Sequence, residues 1–216
     1  MQRLGSCASP SVAGNGLAGV SFGPYGRAVP LAPHPVVTPR PTETAIIVAV
    51  PEVENVVGPH RQRLDASAGW GVPAHVTVLY PFVTPQDLTD EVVDRVRGAV
   101  GRVEPFDCAF GQSRWFERDL LWLAPDPDEP FQALTAALVS AFPTHLPYRG
   151  VHGSEVTPHL TIAESRLAES VDDVMAVERQ VAQALPIRAS VSEALLIAGS
   201  TAPDSWGLVA RFTLGG

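Results

Sequence analysis

The chain contains no lysine. All 15 basic residues are arginine, against 23 acidic ones, for a formal charge of −8. Tracking a long phosphate backbone takes many Lys/Arg–phosphate contacts, so this balance argues against a protein that coats nucleic acid. A small nucleotide or the end of an RNA strand stays compatible with it. Cysteine is scarce as well: Cys7 and Cys108 show neither metal-ligand spacing nor a pairing pattern. Cys108 reads as a small core residue on a strand, and Cys7 as a tail residue. No apolar run reaches the roughly 18 residues that span a bilayer, and the N-terminus lacks the basic-then-apolar order of a signal peptide. These readings predict a cytoplasmic protein with no membrane partner. A Walker loop, a dinucleotide fingerprint and a Gly-x-Ser-x-Gly elbow are also missing. Ser67 and Ser154 therefore have no surroundings that would make either a nucleophile.

What is present is a globular composition, 45% hydrophobic and 18% charged over 216 residues. That is enough chain for one core, with or without a tail. Residues 1–43 are dominated by Gly, Pro, Ser and Ala and read as a disordered tail, either a linker or an upstream extension of the true start. His34 lies between prolines in it and reads as solvent-exposed. Order is predicted from Thr44, where a β-branched run to Val50 reads as a buried strand. Helical spacing follows over 52–65, with Gly58-Pro59 as a candidate break and His60 on the helix surface. Residues 66–73 read as a loop, and 74–80 as a strand.

A helix is predicted at 89–101, with Thr89 as N-cap and Asp90 and Glu91 in its first turn. Strands Phe106–Phe116 and Leu120–Ala124 flank the polar turn Glu117-Arg-Asp119 and read as a hairpin. Next come a helix at 130–142, an irregular loop at 144–157, a strand at 158–164 and a helix at 168–184. Strands Ile187–Ser200 and Trp206–Leu214 close the chain. The order strand-helix-strand-helix-strand therefore occurs twice, an internal duplication at the level of architecture.

Each half carries one His-x-Thr on its middle strand. His75-Val-Thr77 and His159-Leu-Thr161 are offset by the same 84 residues. Side chains i and i+2 share a face of a strand, so His75 and Thr77 point one way while Val76 and Val78 point into a core. His159 and Thr161 pair likewise, backed by Leu160 and Ile162. Packed about a pseudo-twofold axis, the halves bring two imidazoles and two hydroxyls to one cleft. That set suits phosphodiester chemistry without a metal. One imidazole accepts a proton and the other donates one, while the hydroxyls donate to non-bridging phosphate oxygens. One His-x-Thr alone would be an ordinary strand feature; the matched pair is what points to chemistry.

The two motifs, His75-Val-Thr77-Val-Leu-Tyr-Pro-Phe and Pro158-His159-Leu-Thr161-Ile-Ala, resemble the paired signatures of the two-histidine phosphoesterase superfamily, which includes 2′,5′ RNA ligase-like proteins and 2′,3′-cyclic nucleotide phosphodiesterases. Leu121-Trp-Leu-Ala-Pro125, the Phe-Pro…Pro-Tyr region at 142–148 and Trp206…Ala210-Arg-Phe212-Thr-Leu-Gly extend the likeness over 44–215. Thr213 departs from it, since proline is expected there; the position is a strand end. The resemblance implies an α+β fold of two pseudo-symmetric lobes over residues 44–216, with antiparallel sheets lining a central cleft and helices outside. It also implies His75 and His159 as acid and base, Thr77 and Thr161 as phosphate ligands, and no cofactor. Opening of 2′,3′-cyclic phosphates on nucleotides or RNA ends is the implied activity, with 2′,5′ ligation as the reverse; separately, the chain is expected to be a monomer. A phosphodiesterase for a 2′,5′-linked oligonucleotide or a cyclic phosphate of ADP-ribose, and a nucleotide-binding module without turnover, are the alternatives.

Tyr148 and Arg149, just ahead of the second motif, and Trp115 are candidate substrate contacts. The arginine would meet phosphate and the aromatics would stack on a base. His145, His152 and His159 recur every seven residues, but Pro147, Gly150, Gly153 and Pro158 interrupt any helix that would align them, so no metal site is predicted.

Overall fold

In the computed structural model the described residues are 40–151 and 156–216, together with the backbone of a short antiparallel pair, β1 (Ser21–Phe22) and β2 (Ala28–Val29). Cys7, His34, His152 and Ser154 lie outside the described residues. Residues 38–216 form one compact unit.

The unit is built on two four-stranded antiparallel sheets. The first has the order β10 (Gly207–Thr213), β9 (Glu193–Gly199), β3 (Glu43–Ala49), β4 (His75–Leu79). The second has the order β7 (Leu160–Glu164), β6 (Leu120–Asp126), β5 (Phe106–Phe116), β8 (Ile187–Val191). Among the described residues, five α-helices accompany them: α1 (Glu54–Leu64), α2 (Ala66–Gly69), α3 (Asp90–Val100), α4 (Glu129–Ala141) and α5 (Val171–Val181). The α+β class and the duplication both stand. β3, α1, β4 and α3 in the first half match β6, α4, β7 and α5 in the second. In each half the motif strand ends up at the edge of its sheet, beside the strand that opened the half.

The sheets do not coincide with the halves of the sequence. After α3 the chain crosses to the second sheet as β5, and after β8 it returns to the first as β9 and β10. The predicted single strand Ile187–Ser200 is therefore two strands, broken at Ser192. One pairs with β5 and the other with β3. Ile187–Val191 buries alternate residues, whereas Glu193–Gly199 is buried almost throughout. One run of apolar residues thus conceals an edge strand and an interior strand. The predicted loop at 66–73 opens with the one-turn α2. Gly58-Pro59 does not divide α1, which runs unbroken through Pro59.

Helix caps follow the local chemistry. The Thr89 hydroxyl accepts from the Val92 N–H at the start of α3, and Ser170 does the same for Asp173 at the start of α5. The larger of two apolar clusters runs through both sheets. Val76 and Val78 of β4 meet Leu160 and Ile162 of β7 in it, together with Phe110, Phe131, Leu134, Leu138 and Phe212. Burying a side chain of this size is worth about 1.5–3 kcal/mol, so the valine and leucine faces of the motif strands fix which way the polar faces look. Cys108 is buried in the same core, and burial pushes its thiol up to about 11. His60 is half-buried, not on the open helix surface, and its Nδ1 is sealed off with no partner among the described residues.

Candidate active site

The edge strands β4 and β7 lie side by side, with Cα atoms of the two strands approaching within 8 Å. On β4, Val76 and Val78 are buried while His75 and Thr77 are half-exposed; on β7, Leu160 and Ile162 are buried while Thr161 is half-exposed. His75, Thr77, His159 and Thr161 all line one cleft of about 290 Å³. The convergence expected from matched strand positions is thus present.

Both imidazoles are held in the same way. His75 Nδ1 lies 2.8 Å from the Pro73 carbonyl oxygen, and His159 Nδ1 lies 2.9 Å from the Thr157 carbonyl oxygen. A carbonyl can only accept, so each Nδ1 carries the proton. Each ring is thereby fixed as the tautomer whose Nε2 is available for proton transfer.

The surroundings of the two rings differ. Behind His75 lies a buried ion pair: Arg61 Nε donates to Asp65 Oδ2 at 2.9 Å, and both side chains are almost fully enclosed. The same guanidinium donates to Ser67 Oγ at 3.1 Å and to the Val72 carbonyl at 3.3 Å. Asp65 Oδ1 accepts from the Ser67 N–H and hydroxyl, at 2.9 and 2.8 Å. Desolvation is the main cause that pushes the His75 imidazole down to about 4, and the Arg61 charge adds to it; the Pro73 carbonyl and Asp65 pull the other way. His159 instead stands among aromatic rings, 5.1 Å from Phe116 and 5.9 Å from Trp122 between centroids. A cross-link ties the halves here as well, since the Ala66 N–H donates to Glu164 Oε1 at 2.9 Å.

Tyr148 lines the cleft and is hydrogen-bonded to Thr77; burial raises its phenol above the ordinary tyrosine value. Its backbone N–H donates to the Tyr80 carbonyl at 2.7 Å. Tyr148 and Arg149 both adopt left-handed conformations, at φ 50° and 57°, which cost roughly 1–2 kcal/mol per non-glycine residue. Arg149 is exposed beside this cleft, close enough for its charge to act on Tyr80. Trp115 is half-buried and its indole N–H donates to Glu178 Oε2 of α5 at 3.0 Å. The ring packed against His159 belongs to its neighbour Phe116. Trp115 nonetheless borders an adjoining cavity of about 800 Å³ together with Tyr148 and His159.

The Arg61–Asp65–Ser67 network, Phe116, Trp122 and the wall opposite are site features that the sequence motifs do not mark. That wall is apolar: Ala45 and Ile47 of β3, Ile197 of β9, Val72, Tyr80 and Trp206. Trp206 packs edge-on to Tyr80 at 6.3 Å and fits because position 199 is glycine. A Cβ on Gly199 would stand 2.4 Å from the indole. The i,i+4 spacing of Arg61 and Asp65 was the one available signal for the network. Among the described residues no group of three or more His, Cys, Asp or Glu gathers as metal ligands would, and no helix is long and apolar enough to cross a membrane.

The family model of the 2′-5′ RNA ligase superfamily matches residues 49–201, a span containing both motifs. The chain belongs to this superfamily. Solved structures share its fold. E. coli LigT complexed with 3′-AMP superposes at a TM-score of 0.52 with 16% identity, covering 82% of this chain and 100% of LigT. TT0787 of Thermus thermophilus gives 0.57 and 18%, covering 81% of this chain and 98% of its own. At these identities the likeness speaks for the fold alone. No curated protein matches the sequence. The two-histidine phosphoesterase kinship implied by the motifs therefore rests on the family model and on the shared architecture.

Proposed function

We propose that the chain is a metal-independent phosphodiesterase that opens 2′,3′-cyclic phosphates of nucleotides or RNA ends, with 2′,5′ ligation as the reverse direction. The observation that carries this reading is the matched pair of imidazoles in one cleft, each with Nδ1 bonded to a carbonyl and each accompanied by a threonine two residues on.

His75, neutral at neutral pH, is the base. Its Nε2 takes a proton from water as the water oxygen forms a bond to phosphorus. His159 is the acid: as the imidazolium, with Nδ1–H held by the Thr157 carbonyl and a second proton on Nε2, it gives the Nε2 proton to the ribose oxygen as that P–O bond breaks and is left neutral. Thr77 and Thr161 donate hydrogen bonds to the non-bridging oxygens, where charge builds. The product is a phosphomonoester. Tyr148 holds the Thr77 hydroxyl in place, and Arg149 is available to the phosphate from the rim. The apolar wall of Ile47, Ile197 and Trp206 accepts the base or ribose. A monomer suffices for this chemistry, because both histidines come from one chain.

The test is a screen of 2′,3′-cyclic mononucleotides, a 2′,5′-linked dinucleotide and a cyclic phosphate of ADP-ribose, with product analysis and calorimetry in parallel. Release of a 2′- or 3′-phosphomonoester from the cyclic mononucleotides is the expected result. Binding without product across all substrates would instead mark a nucleotide-sensing module.

A further inference from the structure

We propose that the cleft face of the second sheet carries a subsite for one further phosphate, so that the preferred substrate is a terminal nucleotide bearing a 5′-phosphate or the last step of a short oligonucleotide. The inference rests on the reading of the cleft given above and narrows its substrate class.

The strand register places Thr161, Trp122 and Arg114 in one row across β7, β6 and β5. Neighbouring strands lie about 4.8 Å apart, so Arg114 starts roughly 10 Å from the threonine. Its guanidinium reaches back over the Trp122 ring, 5.9 Å from the centroid. Phe116 stacks on the same indole at 4.7 Å and also meets His159. An aromatic path therefore leads from the proposed acid to a cation. Arg114 is exposed and makes no ion pair or hydrogen bond among the described residues. The Trp122 indole N–H is buried and finds no acceptor among them, and a buried donor left unpaired costs about 1–3 kcal/mol. Arg114 thus stands, as a cation without an ionic partner among the described residues, on a groove of about 480 Å³ that Trp122 also lines. The equivalent row of the first sheet runs Thr77, Ile47, Leu195, Arg211; it too has a buried indole N–H without a partner among the described residues, that of Trp206, but its arginine is already ion-paired with Glu193. This asymmetry gives the bound strand a direction, with its next phosphate on the second sheet.

The same groove sets a limit. Asp126, Asp128 and Glu129 line its far end, and their carboxylates repel a third phosphate. One added phosphate is accommodated and a longer strand gains nothing, which agrees with a chain that is acidic overall.

The experiment compares binding of adenosine 3′-phosphate and adenosine 3′,5′-bisphosphate by calorimetry, in the full chain and in Arg114→Gln and Trp122→Phe. A charge-assisted hydrogen bond is worth about 1.5–3 kcal/mol, or roughly 10- to 150-fold. The bisphosphate is therefore expected to bind at least about 10-fold tighter. Arg114→Gln should bring the ratio close to one, and Trp122→Phe should reduce it. Extending the ligand by a further nucleotide should bring no gain. Equal affinity for the two ligands in the full chain, or a ratio that survives Arg114→Gln, would overturn the subsite. These readouts do not require turnover, so failure of the cyclic phosphodiesterase reading shows separately, as absence of product from the cyclic substrates.

Discussion

His75 and His159, 84 residues apart in sequence, are held by the same bond. Each Nδ1 faces the carbonyl of the residue two positions upstream, Pro73 or Thr157, at 2.8 or 2.9 Å. The duplication has kept the tautomer as well as the residue. What distinguishes the two rings lies behind them, a buried guanidinium on one side and stacked aromatics on the other.

That difference predicts the pH dependence of the reaction. If His75 is the base and its imidazole is held down to about 4, it stays competent well below the ordinary histidine range. The acidic limb of kcat/KM should lie near pH 4. A limb near the ordinary histidine value of about 6.5 would show that the base is not the desolvated ring. EDTA should leave the rate unchanged, and inhibition reversed by a divalent cation would show that a metal takes part.

The same ring affects stability. Its folded pKa lies below the ordinary value of 6.5, so the unfolded chain takes up a proton first as pH falls. Its contribution is fully present above pH 6.5 and lost as pH falls toward 4, to an extent of at most about 3 kcal/mol. Urea midpoints recorded from about pH 7 down to about pH 4 should fall more steeply for the wild type than for His75→Gln. Parallel curves would remove this account of the environment of His75.

Arg61 and Asp65 should behave as a unit. Removing one partner leaves a buried charge alone, which costs about 3–5 kcal/mol. Arg61→Met alone is expected to destabilise by that amount, while Arg61→Met with Asp65→Leu should recover most of the loss. Additive losses in the double-mutant cycle would show that the two charges do not depend on each other.

Two smaller changes probe the walls of the cleft. Tyr148→Phe removes the hydroxyl bonded to Thr77 and should lower kcat/KM by roughly 3- to 10-fold, the worth of about one hydrogen bond. Gly199→Ala places a methyl group against the Trp206 indole and should shift that tryptophan's fluorescence. An unchanged spectrum would mean that the loop moves aside.

Much of this was legible in the sequence because strand periodicity is a strong signal. The alternation at Val76, Thr77 and Val78 and again at Leu160, Thr161 and Ile162 predicted which groups face the cleft, and the repeat predicted that they meet. Thr89 marked the start of α3 by its capping chemistry alone. The exchange of strands between sheets was hidden, since nothing local to Ser192 announces that the chain changes partners there. The aromatic packed against His159 is Phe116, one residue beyond the candidate base-stacking residue Trp115. Trp115 is the larger ring, but the tight turn at Glu117–Asp119 sets the hairpin register, and that register puts Phe116 and Arg114 on the cleft face and turns Trp115 toward Glu178. The i,i+4 spacing of Arg61 and Asp65 allows them to pair, but burial of that pair depends on tertiary packing, which no local pattern reveals.

The most direct test is the rate at which the wild type, His75→Ala and His159→Ala each convert a 2′,3′-cyclic mononucleotide to its phosphomonoester. Loss of an acid or base in the transition state costs at least about 100-fold, and both single variants should fall that far while keeping the wild-type fold by circular dichroism. Near-wild-type turnover in either variant would contradict the paired-histidine mechanism.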